Sequence, residues 1–476
     1  MPEIKKISEN IWEIPKSGNM LVPAKIYASD KLMEHIRQDK TIDQVRNVAC
    51  LKGIQKHSLA MPDAHQGYGF SIGGVAAFDM NEGIISPGGV GYDINCGVRA
   101  ITTNLKEKDI IGKEDQLLNI LFTNIPSGLA SKGRTRVSKS ELIEIIENGA
   151  KWAVNQGYGT KKDLDHTEEY GCIKSDHETI SPEAMKRGMP QTGSLGSGNH
   201  FLEFQKVEEI YDQKTAKAFG INNTGQVTIM IHCGSRGLGH QVASDYIRSM
   251  EKEYGFKDLP DRELINAPIQ SELGQRYLKA MSGAANYAWT NRQMIMHWVR
   301  ESFAKIFDST PQDLEMNQIY DVAHNIAKIE KHDIDGSTKE VCVHRKGATR
   351  SFGPGRTELP AVYQKTGQPV IIPGSMGTSS YILVGTKTAE NISFGSTAHG
   401  AGRIMSRFSA IKSFRGEKVK QDLQKLGITV KSASWKGLAE EAPEVYKDID
   451  EVVKVSNNLG IGNLVAKVRP LGVIKG

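Results

Sequence analysis

The stretch QVTIMIHCGSRGLGH, residues 226–240, combines the pattern of a strand with that of a glycine-rich loop. Its first half is a run of β-branched and other apolar residues, which is typical of a buried strand, and its second half is rich in glycine. We therefore predict a strand over 226–232 that leads into a loop over 233–240. Functional side chains concentrate in loops that a rigid strand positions. The sequence thus predicts that chemistry lies where strands end.

The same pattern recurs further along the chain. We predict strands over 340–344, 369–372 and 381–385, and glycine-containing loops over 345–355 and 373–377. The 48 glycines are concentrated in such loops, where the backbone must turn sharply or approach a ligand closely. The sequence therefore predicts a chain with many tight loops.

Helices are fewer and are separated by these strands. Ser138 and Glu141 form a capping-box pattern, which predicts a helix that ends near Gly157. Further helices are predicted over 286–307 and 443–458, the latter because Pro443 suits a first turn. Strands and helices alternate without a regular βαβ order, so we expect an α+β fold with mixed sheets flanked by helices.

The length of 476 residues alone would suggest about three domains. However, segments with chemically useful residues run almost continuously from Asp63 to Arg403, and no linker-like tract divides them. We therefore expect a single large catalytic domain over residues 1–476.

Composition indicates a cytoplasmic protein without a membrane partner. The N-terminal lysines are not followed by the apolar core of a secretory signal, and no apolar run approaches the roughly 18 residues of a membrane span. Five cysteines in so long a chain do not form a disulfide framework. The net charge of +5, from 60 Lys+Arg and 55 Asp+Glu, permits a polyanionic partner. We expect a monomer.

Five potential metal ligands stand at loops or strand ends beside small residues: Asp93, Cys96, His200, His232 and His324. Taken singly, each is more often an ordinary buried or surface residue than a ligand. Together they suffice for two ions if a thiolate bridges them, and two-metal sites are common in phosphoryl chemistry. A thiolate favours zinc on softness alone, yet zinc, manganese and iron all remain open at this point.

A different chemistry is suggested by NISFGSTAHGAGRIMSR, residues 391–407. His399 stands between small residues that leave room for a bulky ligand, and Arg403 follows four positions later. Such an imidazole could be a metal ligand, a general base or a covalent nucleophile, and a plain solvent-facing turn is the bland alternative. Loop amides near Arg236 could also cradle phosphate. The common P-loop and GxGxxG nucleotide motifs are not found.

Eight segments in order resemble the RtcB family of RNA-splicing ligases. They are PDAHQGYGF (62–70), GGVGYDINCGVR (88–99), GSGNHFLEF (196–204), HCGSRGLGH (232–240), DVAHN (321–325), HRKGATR (344–350), PGSMGTSSY (373–381) and TAHGAGR (397–403), together with Lys475-Gly476. The resemblance implies a GTP- and manganese-dependent RNA ligase that acts in tRNA splicing and RNA repair. It joins a 2′,3′-cyclic phosphate or 3′-phosphate end to a 5′-hydroxyl end.

The resemblance also implies the roles of individual residues. Two Mn²⁺ ions would share Cys96, with Asp93, His200, His232 and His324 completing the ligand set. His399 would take GMP from GTP as a phosphoramidate and pass it to the RNA 3′-phosphate, which the 5′-hydroxyl then attacks. Asp63 would orient His399, and Arg236, Lys346 and Arg403 would bind phosphates.

Guanylate contacts are carried over in the same way. They are Asn199, His200, Phe201, Leu202, Glu203, His324, Asn325, Pro373, Gly374, Ser375, Met376, Ser380, His399, Gly400, Ala401, Gly402 and Lys475, with Tyr446 bordering or stacking on the base. The family further suggests an archease-like activating protein as a partner beside RNA and GTP.

Two other functions fit parts of the same pattern. A metal-dependent phosphoesterase would use the same ligands without GTP or a covalent step. A non-catalytic RNA-binding protein with a structural metal would have no need of a reactive histidine flanked by phosphate-binding loops.

Overall fold

The computed structural model of the chain describes residues 3–129 and 131–476. The strands of this part of the chain are β1 Lys5–Ser8, β2 Ile11–Ile14, β3 Ala24–Tyr27, β4 Ser58–His65, β5 Ile72–Asp79, β6 Ile84–Ile85, β7 Gly97–Lys106, β8 Phe201–Ile210, β9 Gln226–Cys233, β10 Ala267–Pro268, β11 Asn317–Ala323, β12 Asn325–Ile334, β13 Ser337–Lys346, β14 Ala348–Arg350, β15 Pro369–Ile372, β16 Ser380–Val384, β17 Ser396–Ala398, β18 Thr429–Ser432 and β19 Asn463–Lys475.

The helices are α1 Asp30–Ile36, α2 Thr41–Val48, α3 Glu107–Ile110, α4 Glu114–Asn124, α5 Lys139–Asn148, α6 Ala150–Asn155, α7 Lys161–Asp165, α8 Pro182–Gly188, α9 Gln213–Ala218, α10 Arg236–Tyr254, α11 Glu272–Ile306, α12 Lys387–Ser393, α13 Arg407–Ser413, α14 Gly416–Lys425, α15 Trp435–Glu440 and α16 Ile449–Asn458. Helices and strands are thus interspersed along the whole described chain, and the predicted α+β class is confirmed.

Two large sheets organise these elements. One has the strand order β1-β2-β3-β4-β5-β13-β12, and the other has the order β11-β7-β9-β8-β19-β16-β15 with β18 beside β19. Neighbouring strands run antiparallel except for the β3–β4 and β18–β19 pairs. Strands far apart in the sequence are therefore neighbours, which brings their terminal loops together.

Helix α11 covers one face of the second sheet. Its 35 residues are buried along most of their length, and Ile295, Met296 and Phe303 pack with Ile229 and Ile231 of β9. The opposite face of the same sheet packs in a separate apolar cluster that contains Met230 and other residues of neighbouring strands. Because both faces are covered, β9 is apolar on both sides and lacks polar alternation.

Several predicted boundaries were right. Strand β9 covers the predicted 226–232, and β15 matches 369–372. Strands β13 and β16 contain or nearly match the other two predictions. The Ser138 capping box is present, because Ser138 accepts from the Glu141 amide and Glu141 bonds back to the Ser138 amide.

Other boundaries were wrong, and glycine was the usual cause. The predicted loop over 233–240 ends early because α10 starts at Arg236; Gly237 and Gly239 serve close packing there and do not form a turn. The helix predicted over 286–307 in fact starts at Glu272. It contains Gly274 and Gly283, where glycine allows close packing, because a Cβ at either position would meet neighbouring atoms at less than 3 Å.

Two other helices are interrupted. The helix that starts at Lys139 ends at Asn148, because Gly149 has φ 56° and a Cβ there would meet the Gly171 carbonyl. The chain over 443–458 forms a short 3₁₀ turn, an extended residue at Tyr446 and then α16. Asp448 caps α16 by accepting from the Asp450 amide, so the helix begins there and not at Pro443.

The five cysteines are all free thiols, as expected from their number. Within the described residues, none of the helices is both long and apolar enough to span a bilayer.

Candidate active site

The register of the second sheet places the predicted metal ligands at one edge. Strand pairing sets Gly97 opposite Cys233, Phe201 opposite His232, and Ala323 opposite Gly97. Cys96, His200 and His324 are each next in sequence to one of these paired residues. Four chain segments therefore deliver their side chains to one point.

The ligand atoms of these side chains converge. The Cys96 Sγ lies 3.2 Å from the His232 Nε2 and 3.4 Å from the His200 Nε2. The His200 Nε2 is 2.8 Å from the Asp93 Oδ2, and the His232 and His324 Nε2 atoms are 3.3 Å apart. Two groups can be distinguished, Cys96–His232–His324 and Asp93–Cys96–His200, and Cys96 belongs to both.

The electrostatics of this cluster suit a bound cation. Burial and then the nearby Asp93 carboxylate raise the pKa of the Cys96 thiol to about 12, so a positive charge is needed to hold it as a thiolate. Burial, followed by positive charge on neighbouring imidazoles, lowers the pKa values of His232 and His324 well below the usual range. Both rings are therefore neutral and have lone pairs for a metal. The donor set of sulfur, imidazole and carboxylate fits a divalent transition metal.

A buried charged network supports the loops that carry the ligands. Arg292 of α11 donates to the carbonyl oxygens of Asn95 and Cys233, both at 2.7 Å. Its guanidinium and that of Arg99 are both paired with Asp321, and all three side chains are fully buried. Helix α11 thus connects the two ligand loops at their backbones. Sequence reasoning missed this network because its members show no local motif.

His399 lies directly beside the cluster, after the short strand β17. Its ring centroid is 4.8 Å from that of His324. Its Nδ1 is 2.5 Å from the Asp63 Oδ2, and the same oxygen accepts from the His399 and Gly400 amides at 2.9 and 3.3 Å. Gly402 permits this approach, because a Cβ there would lie 2.1 Å from the Asp63 carbonyl oxygen.

Asp63 is charged in this setting. Burial tends to raise its pKa, but the charge and hydrogen bonds of His399 outweigh burial and lower it. A carboxylate beside Nδ1 favours the tautomer with the proton at that nitrogen, in which the Nε2 lone pair is free. This orientation suits a base or a nucleophile.

A cavity opens in front of His399, and residues from several separate segments of the chain line it. Thirteen of the predicted guanylate contacts line it: Asn199, Phe201, Glu203, Pro373, Gly374, Ser375, Met376, His399, Gly400, Ala401, Gly402, Tyr446 and Lys475. The predicted contacts from separate segments are thus brought together.

The remaining predicted contacts lie outside this lining. His200 and His324 belong to the metal cluster. Leu202 packs in the core beneath α11. Asn325 connects loops, accepting from the Gly347 amide and donating to the Asp93 carbonyl. The Ser380 hydroxyl accepts from the Gly374 amide and so shapes the cavity wall from behind.

Charged groups inside the cavity are mutually paired. The buried Glu441 carboxylate lies 3.5 Å from the Lys475 Nζ and 3.1 Å from the Arg403 Nη1, and it accepts from the Tyr446 hydroxyl. Burial raises the pKa of Glu203 to about 8, so this carboxyl can be a donor at neutral pH. The cavity therefore offers both hydrogen-bond donors and positive charge.

The three predicted phosphate binders are placed differently from one another. Arg403 lines the cavity. Arg236 is buried and donates to the Gly128 carbonyl and to the hydroxyls of Ser131 and Ser194. Lys346 donates to the Tyr68 and Phe70 carbonyl oxygens, and burial lowers its pKa to about 7. Arg236 and Lys346 are thus bonded within the protein and lie outside the cavity lining.

Sequence reasoning missed four residues of the lining: His65, Ile72, Arg407 and Glu441. His65 could have been predicted from the sequence, since it stands two residues after Asp63 in the segment PDAHQGYGF. Arg407 and Glu441 carry no signal of their own, because they reach the cavity only through the packing of the C-terminal helices.

The fold and the site define a class: an α+β protein in which a buried Cys/His/Asp cluster able to bind metal adjoins a cavity that contains a histidine held by a carboxylate. A family model described as tRNA-splicing ligase RtcB matches residues 44–476. This chain belongs to the RtcB family.

Relatives match over the full length. A tRNA-splicing ligase RtcB of Thermococcus kodakarensis is 55% identical over 100% of this chain and 99% of its own length. That of Methanococcus maripaludis is 55% identical over 99% of each chain, and that of Pyrobaculum aerophilum is 51% identical over 99% of each.

Proposed function

We propose that this chain is an RNA ligase that uses GTP and manganese to join a 3′-phosphate or 2′,3′-cyclic phosphate RNA end to a 5′-hydroxyl end. Membership of a family of tRNA-splicing ligases supports the enzyme class. The observation that carries the mechanism is the Asp63–His399 pair, which lies beside the cluster of candidate metal ligands and lines the neighbouring cavity.

In the proposed first step, the His399 Nε2 attacks the α-phosphate of GTP. An N–P bond forms, the bond to the β-phosphate oxygen breaks, and pyrophosphate leaves. Asp63 keeps the proton on Nδ1, so the attacking nitrogen is unprotonated and its ring is held in one orientation. The charge that develops on the imidazole is balanced by the same carboxylate.

The next steps transfer this GMP. An oxygen of the RNA 3′-phosphate attacks the phosphorus of the adduct, the N–P bond breaks, and His399 is regenerated. The 5′-hydroxyl of the other RNA end then attacks the activated 3′-phosphate and expels GMP. A cyclic phosphate end is first hydrolysed to the 3′-phosphate. Capping is chemically useful because a phosphate dianion has no good leaving group of its own.

Asp93, Cys96, His200, His232 and His324 would hold the two manganese ions. Bound there, the ions would supply Lewis acidity that neutralises phosphate charge. In the cavity, Lys475 and Arg403 would bind anionic oxygens, and Tyr446 would border the guanine. The single domain over 1–476, the monomeric state, the cytoplasmic location and an archease-like activator belong to the same proposal.

The test is covalent labelling. Enzyme mixed with α-labelled GTP and Mn²⁺ is expected to retain the label through denaturation, and the bond should be acid-labile and base-stable as a phosphoramidate is. His399→Ala should abolish the label. A wild-type protein that opens cyclic phosphates but takes no label would instead be a phosphoesterase.

A further inference from the structure

A strongly basic segment adjoins the cavity. Residues 404–440, here called the basic lobe, comprise α13, α14, β18 and α15 and carry eight Lys or Arg against three Asp or Glu. This excess equals the net charge of +5 of the entire chain, so the remainder is neutral on balance. A charge concentrated on one lobe is the electrostatic signature of a polyanion partner.

The acidic residues of the basic lobe leave several of its cations unpaired. Asp422 pairs with Lys418 and Lys425, which lie on its own helix. In contrast, Lys412, Arg415 and Lys436 are exposed and form no ion pair with any residue that the structure describes. These three cations are therefore available to a ligand.

Two large aromatic rings are exposed on the same lobe. The Phe408 side chain is 69% exposed and that of Trp435 is 51% exposed. The Lys412 Nζ lies 4.1 Å from the Phe408 ring centroid, and the Lys420 Nζ lies 5.9 Å from that of Trp435. Helices α13 and α15, which carry these rings, pack against each other. Aromatic faces interleaved with cations are the usual platform for single-stranded nucleic acid, because bases stack on the rings while cations hold the phosphates.

The basic lobe begins at the mouth of the cavity. Arg407, the first residue of α13, lines both the cavity and an adjoining cleft that includes His65 and Arg403. Gly198, in the loop before His200, lies against the Arg407 guanidinium, since a Cβ there would be 3.0 Å from its Nη2. Arg407 therefore connects the basic lobe directly to the cavity and to the adjoining cleft.

We propose that the basic lobe is the docking surface for a single-stranded segment of RNA that leads into the cavity. This inference rests on the proposed ligase function, and it identifies the face of the protein that holds the RNA substrate. Phe408 and Trp435 stack on bases, and Lys412 and Lys436 contact phosphates. Binding of this kind tolerates many RNA sequences, because aromatic rings and cations do not form hydrogen bonds that distinguish one base from another.

The experiment uses a four-substitution variant of the full chain, Phe408→Ala, Lys412→Ala, Trp435→Ala and Lys436→Ala. A matched control alters the exposed segment EKEYGFK at the end of α10, with Lys252→Ala, Tyr254→Ala, Phe256→Ala and Lys257→Ala. Binding of a fluorescent, unstructured RNA with a 3′-phosphate is followed by anisotropy at several salt concentrations. Covalent labelling with GTP is measured on every variant.

The lobe variant is expected to bind RNA at least about thirtyfold more weakly, since each of the two lost stacking partners costs about fivefold to a hundredfold. The slope of log affinity against log salt should fall by about 1.4, because two phosphate contacts are lost at roughly 0.7 each on a single strand. The control should match the wild type. GTP labelling should be equal in all three proteins, since none of the substituted residues lines the cavity.

Equal RNA affinity and salt slope in lobe variant and wild type would overturn the inference. So would a selective loss of GTP labelling with RNA binding retained, because the lobe would then serve the nucleotide. If the four-substitution variant does not fold, the Phe408→Ala, Lys412→Ala pair on the exposed face of α13 gives the same readout. Failure of wild-type labelling would count against the proposed chemistry, and the RNA comparison would still decide the role of the lobe.

Discussion

Replacing Asp63 by Asn tests the proposed nucleophile most directly. The substitution keeps the size of the side chain and an acceptor for the His399 and Gly400 amides. It removes the negative charge that faces the His399 Nδ1 at 2.5 Å. If His399 attacks GTP, the reaction should lose the charge balance that Asp63 provides.

The size of the effect follows from this geometry. As Nε2 bonds to phosphorus, positive charge develops on the ring, with its centre about 4 Å from that of the carboxylate. At an effective dielectric of about 20, this attraction is about 4 kcal/mol, which corresponds to a roughly 10³-fold slower reaction. The fold should survive, because one hydrogen-bond group to a charge contributes about 1.5–3 kcal/mol and domains typically have 5–15 kcal/mol of stability.

The assay is single-turnover labelling with α-labelled GTP and saturating Mn²⁺, stopped by denaturant at timed intervals. Metal content is measured on the same samples to show that the neighbouring cluster is intact. Asp79→Asn is the matched control, because the Asp79 carboxylate also accepts from two backbone amides, at 2.7 and 3.0 Å, at the end of a strand outside the cavity. A labelling rate of Asp63→Asn within tenfold of both the wild type and this control, at full metal content, would refute the assigned role.

Four further outcomes are expected. Cys96→Ala should lose manganese, measured by elemental analysis after gel filtration, because its sulfur belongs to both ligand groups, whereas Cys233→Ala should retain it; equal losses would contradict the shared-sulfur assignment. Lys475→Met should raise the KM for GTP about tenfold to a hundredfold through loss of a charged contact, and an unchanged KM at unchanged Tm would argue against it. Burial lowers the pKa of His344 to about 4, so the unfolded chain takes up this proton first and stability falls as the pH drops from about 6.5 to 4. His344→Gln should therefore reduce the difference in unfolding free energy between pH 7 and pH 4.5 by about 2 kcal/mol in urea titrations, and an identical pH dependence would show that this histidine is not responsible. Arg292→Met should weaken metal binding about tenfold to a hundredfold, as measured by direct titration, because its bonds support both ligand loops; an unaltered Kd would mean that the loops hold their positions without it.

The sequence identified residues that the fold brings together, but it predicted the bounds of several helices wrongly. Strand β9 could be recognised because an apolar β-branched run leads into glycine, and His232 could be placed at its end. Glycine was harder to interpret. At Gly149 it ends a helix with a positive φ, while at Gly283 it lies inside a helix and allows close packing. Local sequence does not distinguish these two uses, because the atoms that crowd each glycine belong to residues distant in the sequence.

The same limit explains the missed residues. Arg407 and Glu441 line the cavity because helices α13, α14 and α15 pack in one apolar cluster with Met376 of the cavity wall and Val473 of β19, and nothing near them in the sequence indicates this. Lys346 illustrates the converse. It stands in a recognisable segment, yet the structure shows its amine bonded to the carbonyls of Tyr68 and Phe70. A motif identifies which residue matters, but only the folded neighbours show what its side chain contacts.

The position of β19 in the second sheet has a consequence for biosynthesis. This strand, residues 463–475, pairs with β8 on one side and β16 on the other. While a ribosome is still extending the polypeptide, the half of the sheet that contains β8 and the half that contains β16 each expose an unsatisfied edge. Open edges of this kind recruit strands from other molecules, and pairing between distant segments is slow. Newly made chains therefore cannot complete the second sheet until β19 has emerged and paired with both strands.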